Sequence, residues 1–371
     1  MNKIRGLLNN EVFLSEIFQA FPNLADNITS FFLNRQTLGG PTFLSWVLTY
    51  NCPLSCRHCY IQPRSDILSK DDRLKIAKKI GQSSVYWVSL IGGEPLITPE
   101  IMDIAKILKK EKKKVTITTN GLFLNNFIQE IIDLDLDAIQ ISVDSHKKEQ
   151  HDYLRNSPGL FENVLKSVIE IRKKRKSSKP FIKLRCTLSR ENYLEVINYV
   201  RFWKDKADAI YFQPVVDNIM NRVRESEILF RKEEESSFRK VFSELQKEFA
   251  SFSNLYYNFM PDYIFHREQL WRKLKFKCIL IPASALYILP DGNTAVCYGR
   301  RDKTGGNLIN KSIKEIWRSK EVKALQDDIK NKHLEGFDRE CFCWEPYTLP
   351  NLYLLSLYNF ISKVIGKKWE G

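Results

Sequence analysis

Between Phe43 and Val216 the chain alternates two patterns. Short runs rich in β-branched and aromatic residues are separated by longer segments in which apolar residues recur every three to four positions. The first pattern predicts strands at FLSWVLTY (43–50), VYWVSLI (85–91), KVTITT (114–119), DAIQISV (137–143), FIKLRCTL (181–188) and AIYFQPV (209–215). The second predicts helices between them, such as SKDDRLKIAKKI (69–80), opened by a serine cap before two acids, and NYLEVINYVRFW (192–203). Strands alternating with helices are the sequence form of parallel βα units. Six such units build an α/β fold, either an open sheet or a partial barrel, and in both the ligands gather at the C-terminal ends of the strands.

The flanking segments read differently. Residues 1–40 predict an N-terminal helical extension ending in the breaker LGG, and 41–220 form the βα core. Residues 221–277 are charged, then aromatic, and predict a helical connector; 278–344 carry a second cysteine set, with an Asp-Gly hairpin in LYILPDGNTAVC (286–297). Residues 345–371 form an amphipathic tail in which Tyr353, Leu354, Leu357, Tyr358, Ile361 and Ile365 recur at helical spacing before a basic end.

Composition narrows the class without naming a function. With 371 residues and 43% hydrophobic content, the chain is globular and long enough for a large domain plus a smaller one. Its net charge is +14, and KKEKKK (109–114) and RKKRKSSK (172–179) are dense basic runs. Both follow apolar-periodic segments, where cations complement the helix dipole, so no nucleic-acid partner is expected. The N-terminus has no uninterrupted apolar run or small-residue cleavage site, so the expectation is a cytoplasmic protein with reduced cysteines, its tail offering a contact with a membrane surface.

The chemistry concentrates in TYNCPLSCRHCYIQ (49–62), which holds three of the eight cysteines, Cys52, Cys56 and Cys59, in a Cys-x3-Cys-x2-Cys spacing. A closed zinc site takes four ligands, usually from paired knuckles. An iron–sulfur cube with three protein thiolates keeps one iron open. GGEP (92–95) follows the second strand, where two glycines admit a close backbone approach and Glu94 is a hydrogen-bond acceptor. TTNG (118–121), ISVDS (141–145) and HDYLRNSPG (151–159) follow in order, and Asp144 and Gln213 stand at strand ends. Cys186, inside an apolar strand, reads as a buried small hydrophobe.

On these motifs the chain resembles the radical S-adenosylmethionine superfamily, over roughly residues 43–344. The resemblance implies a partial (β/α)6 barrel of the TIM type and a [4Fe-4S] cluster on Cys52, Cys56 and Cys59 that binds S-adenosylmethionine. It implies cofactor binding by Gly92, Gly93 and Glu94 at the methionine amino group, and by Ser142 and Arg155 near its carboxylate and ribose. The aromatic usual before the third cysteine is here His58, with Tyr60 after it. Cys278, Cys297, Cys341 and Cys343 resemble a Twitch-type SPASM module with one auxiliary [4Fe-4S] cluster, although four thiolates also suit zinc. The implied activity is reductive cleavage of S-adenosylmethionine to a 5′-deoxyadenosyl radical that abstracts hydrogen from a substrate, with an electron donor such as flavodoxin or ferredoxin. A sugar or cyclitol-type small molecule is the first expectation for the substrate, since only about 40 residues precede the core, fewer than a peptide-recognition domain needs. The alternatives are a peptide-modifying maturase, a lipid-modifying enzyme at a membrane surface and a non-catalytic iron–sulfur or zinc protein.

Overall fold

The structure is a computed structural model that describes residues 40–63, 68–215, 224–252, 255–267, 269–270, 283–297 and 304–332. The N-terminal extension, the tail, and Cys278, Cys341 and Cys343 lie outside the described residues.

The predicted strands are present as β1 (Phe43–Val47), β2 (Trp87–Ile91), β3 (Lys114–Thr119), β4 (Ala138–Ser142), β5 (Phe181–Leu188) and β6 (Ala209–Pro214). Helices α1 (Lys70–Gly81), α2 (Ile101–Lys110) and α3 (Ile128–Asp133) join the first four strands. Two helices, α4 (Lys148–Arg155) and α5 (Leu160–Lys174), link β4 to β5, and α6 (Val196–Trp203) links β5 to β6. Ser69 caps α1 in a reciprocal capping box with Asp72, as the serine before two acids predicted.

All pairs from β1 to β6 are parallel and the strands lie in sequence order. Crossovers of one hand with no reversal of strand order place every helix on the same face, which curls the sheet into a partial barrel. Apolar residues on the helix side, among them Leu44, Val88, Ile117, Ile139, Leu184 and Phe212, are buried in one continuous core. The alternate positions face the concave side, where Ser45, Ser89, Thr118, Gln140 and Ser142 are half-buried.

Two features go beyond the six-stranded expectation. Among the described residues the sheet has nine strands, because β7 (Ala285–Ile288) pairs parallel with β1 and continues through β8 (Asn293–Ala295) to β9 (Gly306–Asn307). The predicted hairpin is therefore an extension of the barrel wall. Its turn runs over Leu289–Gly292, with Gly292 at φ +81° donating its N–H to Leu289 O.

The second feature is the edge at β6, where α7 (Glu235–Glu248), α8 (Leu255–Asn258) and α9 (Met260–Phe265) begin the region beyond the core. The hydroxyl of Tyr256 donates to Phe212 O and that of Tyr257 accepts from Phe212 N–H. An edge strand is thus closed by two tyrosines in place of another strand. Two short helices, α10 (Ile313–Trp317) and α11 (Lys320–Lys332), complete the described residues. Among these no helix is long and apolar enough to cross a membrane.

Candidate functional site

β1 ends at Val47, and the chain turns into the cysteine loop while its backbone still touches β2 through Leu48 N–H to Ile91 O. Asn51 N–H bonds the Thr49 hydroxyl, and Cys59 N–H bonds Cys56 O in a tight turn. The Cys52 sulfur accepts from Leu54 N–H at 3.4 Å and from the Asn120 amide at 3.5 Å, while the Arg155 guanidinium lies 3.9 Å from the Cys56 sulfur.

These three thiols form one electrostatic unit. Burial pushes Cys56 up to about 11, Arg155 pulls it down, and charge on Cys59 or Cys52 raises it further. Cys52 is raised by burial and likewise feels Cys59. Cys52 and Cys56, desolvated by burial, resist ionisation unless a metal supplies positive charge, and N–H groups already point at both sulfurs. No group of three or more His, Cys, Asp or Glu among the described residues closes around a single ion. Three thiols in one loop suit a multi-iron cube, which with three protein ligands keeps one iron open.

GGEP follows β2 and docks on the same loop. Gly93 N–H bonds Thr49 O at 2.7 Å and Glu94 N–H bonds Asn51 O at 2.9 Å. A Cβ on Gly92 would lie 2.5 Å from Thr49 O, and one on Gly93 2.2 Å from Asn51 O. The backbone approach that these glycines permit is therefore to the chain leading into Cys52.

Glu94 is fully buried and ties the two loops to a third. Its Oε1 accepts from Leu96 N–H and the Thr119 hydroxyl, and its Oε2 from Asn120 N–H. Thr119 and Asn120 of the TTNG motif thus both hold Glu94, and the Asn120 side chain also reaches Cys52. Despite these bonds, burial lifts the carboxyl to about 7.

Ser142 closes β4, half-buried beside Arg185 of β5. Arg155 is the last residue of α4, and its buried guanidinium makes a two-point ion pair with Asp144 at 2.9 and 2.6 Å. Asn156, in the left-handed conformation that ends α4, donates to the Ser55 hydroxyl and ties that helix end to the cysteine loop.

Asp144, just past the end of β4, is the centre of a hydrogen-bond and ion-pair network. It accepts from Thr187 N–H, its own N–H donates to His151 Nδ1, and His58 Nδ1 lies 3.8 Å from its Oδ2. Arg155 and the nearby histidines hold Asp144 below the usual carboxylate range against desolvation. Burial lowers His58 to about 4 and His151 to about 3, so both rings are neutral at pH 7. No signal in ISVDS announced this convergence, because its partners come from three separate segments, the cysteine loop, α4 and β5.

Gln213 stands on the concave side of β6, level with Thr187 of β5. Cys186 is buried, with its thiol directed at Asp144 O. Sequence reasoning also missed the segment after β6, where Arg224 N–H bonds Cys59 O and Glu225 N–H bonds Arg57 O. That pairing closes the outer side of the cysteine loop.

Cys297 is the one auxiliary cysteine among the described residues, and it packs with Phe43 against Ala285, Tyr287 and Ala295. Since Ala295 pairs with Tyr287 and Ala285 with Phe43, Cys297 lies level with the start of β1. The cysteine triplet follows the end of that strand. The two therefore bracket the concave face, separated along it by about 13 Å or more at ~3.3 Å per residue.

Comparison with known proteins agrees with this arrangement. The family model described as the radical SAM superfamily matches residues 46–202, and one described as an iron–sulfur cluster-binding domain matches 278–344. The AdoMet-dependent heme synthase of Methanosarcina barkeri is 27% identical over 176 residues, covering 46% of this chain and 49% of that protein. Molybdenum cofactor biosynthesis protein moc-5 of Caenorhabditis elegans is 32% identical over 174 residues, covering 44% and 28%. The match thus spans about half or less of these relatives. The structure of Streptococcus suis SuiB bound to S-adenosylmethionine superimposes with a TM-score of 0.59 at 16% identity, over 78% of this chain and 68% of that one, a likeness of fold.

Proposed function

Because this chain belongs to the radical SAM superfamily and carries an iron–sulfur cluster-binding domain behind the barrel, we propose that it cleaves S-adenosylmethionine reductively and uses the radical to abstract hydrogen from a small polar molecule held on the concave face. The observation that carries this reading is the docking of GGEP and TTNG onto a loop of three clustered thiols at the C-terminal end of β1. Cys52, Cys56 and Cys59 would hold the cluster, which when bound supplies the electron that breaks the sulfonium bond. Cys297, with Cys278, Cys341 and Cys343, would hold an auxiliary cluster at the other end of the face.

The chain's own groups bind and orient. Arg155 gives one Nη2 proton to Asp144 Oδ1 and one Nη1 proton to Cys56, with its Nε in ion-pair contact with Asp144 Oδ2, so one further proton on each terminal nitrogen remains for the cofactor's carboxylate beside Ser142. Gly92 and Gly93 present backbone next to the cysteine loop for its ammonium group, and the buried Glu94 carboxyl, held by three N–H and O–H donors, follows them in the same turn. Hydroxyl and amide side chains at Ser45, Ser89, Thr118, Gln140 and Gln213 suit a polyhydroxylated metabolite such as a sugar or cyclitol.

Anaerobically reconstituted protein, reduced in the presence of S-adenosylmethionine, is expected to form 5′-deoxyadenosine; none formed by protein with full iron content overturns the proposal.

Glu94 gives a pH signature. Its folded value of about 7 stands above the ordinary 4.5, so the proton it retains on folding stabilises the protein below pH 4.5, and this contribution is lost as pH rises to about 7. An ammonium group placed above Glu94 favours the carboxylate and releases that proton. S-adenosylmethionine affinity, measured by calorimetry, is therefore expected to rise with pH through about 7, approaching tenfold per unit on the acid side. Glu94→Gln should flatten the profile, and parallel profiles would exclude this placement of the ammonium.

A further inference from the structure

Three consecutive residues at the end of α4 meet three consecutive residues of the cysteine loop, in reverse order. The Leu154 carbonyl accepts from Arg57 N–H, the Arg155 guanidinium lies 3.9 Å from the Cys56 sulfur, and the Asn156 amide donates to the Ser55 hydroxyl at 2.8 Å. Asp144 holds the same guanidinium, with Nη2 2.9 Å from Oδ1 and Nε 2.6 Å from Oδ2. Asp144 is itself fixed by three further groups. Thr187 N–H donates to its Oδ1, the Asn192 amide donates to its backbone carbonyl at 2.9 Å, and its own N–H donates to His151, one turn before Arg155 on α4. Asp144, His151 and Arg155 are all buried. The guanidinium is thus pinned between a carboxylate and a thiol by the chain's own contacts. Both charges act on Cys56, and there the guanidinium outweighs the carboxylate behind it.

We propose that Arg155 sets the reduction potential of the cluster on Cys52, Cys56 and Cys59, acting at the Cys56 thiolate, and that Asp144 is the counter-charge that moderates it. A cluster that takes up one electron gains one negative charge. A cation at a ligand sulfur therefore favours the reduced form, and an anion behind that cation favours the oxidised form. An N–H group directed at a cluster sulfur acts in the same sense as the cation. Cys56 is enclosed, so water screens these charges little. Arg155 then makes the cluster reducible, in addition to any contact it offers the cofactor's carboxylate. This inference rests on the proposed radical SAM reading and deepens it, by naming the residues that regulate electron uptake at that same site.

The test is a redox titration, followed by electron paramagnetic resonance, of reconstituted full-length protein without S-adenosylmethionine. The same titration of Cys56→Ala protein gives the auxiliary cluster's signal, which is subtracted. At a fixed ambient potential Arg155→Gln is expected to lower the reduced-to-oxidised ratio tenfold or more, about 59 mV for one electron. Asp144→Asn is expected to raise the ratio, by about threefold or more. The double variant Arg155→Gln with Asp144→Asn leaves neither charge buried, so it serves where a single variant fails to fold. Its ratio should fall below the wild type's, by less than that of Arg155→Gln. Water entering a loosened loop would move all three variants in one direction, which the two opposite charges cannot do. Shifts of one sign in both single variants, or a double variant at or above the wild type, overturn the inference. So do unchanged potentials beside weakened S-adenosylmethionine binding, because Arg155 would then serve the cofactor alone. Failure of the radical SAM reading is separately visible, as wild-type iron content in Cys56→Ala and no 5′-deoxyadenosine from the wild type.

Discussion

Replacing Cys56 by alanine is expected to take 5′-deoxyadenosine formation below detection and to lower bound iron from about eight to about four atoms per chain, as loss of one of two cubes requires. Cys56 is the most enclosed of the triplet, 6% exposed, with Arg155 against its sulfur and the Cys59 N–H on its carbonyl. A cube held by three protein thiolates has no spare ligand, and water cannot enter this closed position to replace one. Iron and sulfide analysis beside product chromatography measures both effects. Retention of cleavage by the variant would remove the cluster assignment. Iron falling to nothing would instead mean that the auxiliary cysteines hold no cluster of their own.

Asp144→Asn is expected to destabilise the fold by about 3–5 kcal/mol, the range for breaking one side of a buried ion pair. Asp144 is 1% exposed and Arg155 6% exposed, so the guanidinium would be left buried beside Cys56 without its countercharge. The Thr187 N–H would still find the amide oxygen. The penalty is therefore electrostatic, and Asp144→Leu combined with Arg155→Met should recover part of it. Urea midpoints of the two variants and the wild type measure the difference. Equal midpoints for Asp144→Asn and the wild type would show that the pair contributes nothing net.

Much of the barrel was legible because strand and helix periods are local. The β5 stretch 181–188 is a strand over its full predicted length, since its alternation continues unbroken. The 43–50 stretch is a strand only to Val47, because Thr49 and Asn51 leave the ladder to bond one another and receive the GGEP backbone. The Asp-Gly hairpin was legible as a turn. Its pairing with β1 was not, since nothing in residues 285–288 specifies an edge more than 200 positions away.

The site divides in the same way. Cys52, Cys56 and Cys59 lie within eight positions, so short-range chain geometry alone brings their sulfurs together, and the missing fourth ligand is readable as an open iron. By itself, the sequence determined the βα repeat, that thiol triplet and the order of the motifs after it. Only the tertiary structure decided that Gly92 and Gly93 make room for the cysteine loop's own backbone, that Asp144 holds Arg155 against Cys56, and that Arg185 stands beside Ser142. Those contacts join segments tens of residues apart. They depend on strand register and on which side of the sheet each residue faces, which many sequences satisfy and no local pattern records.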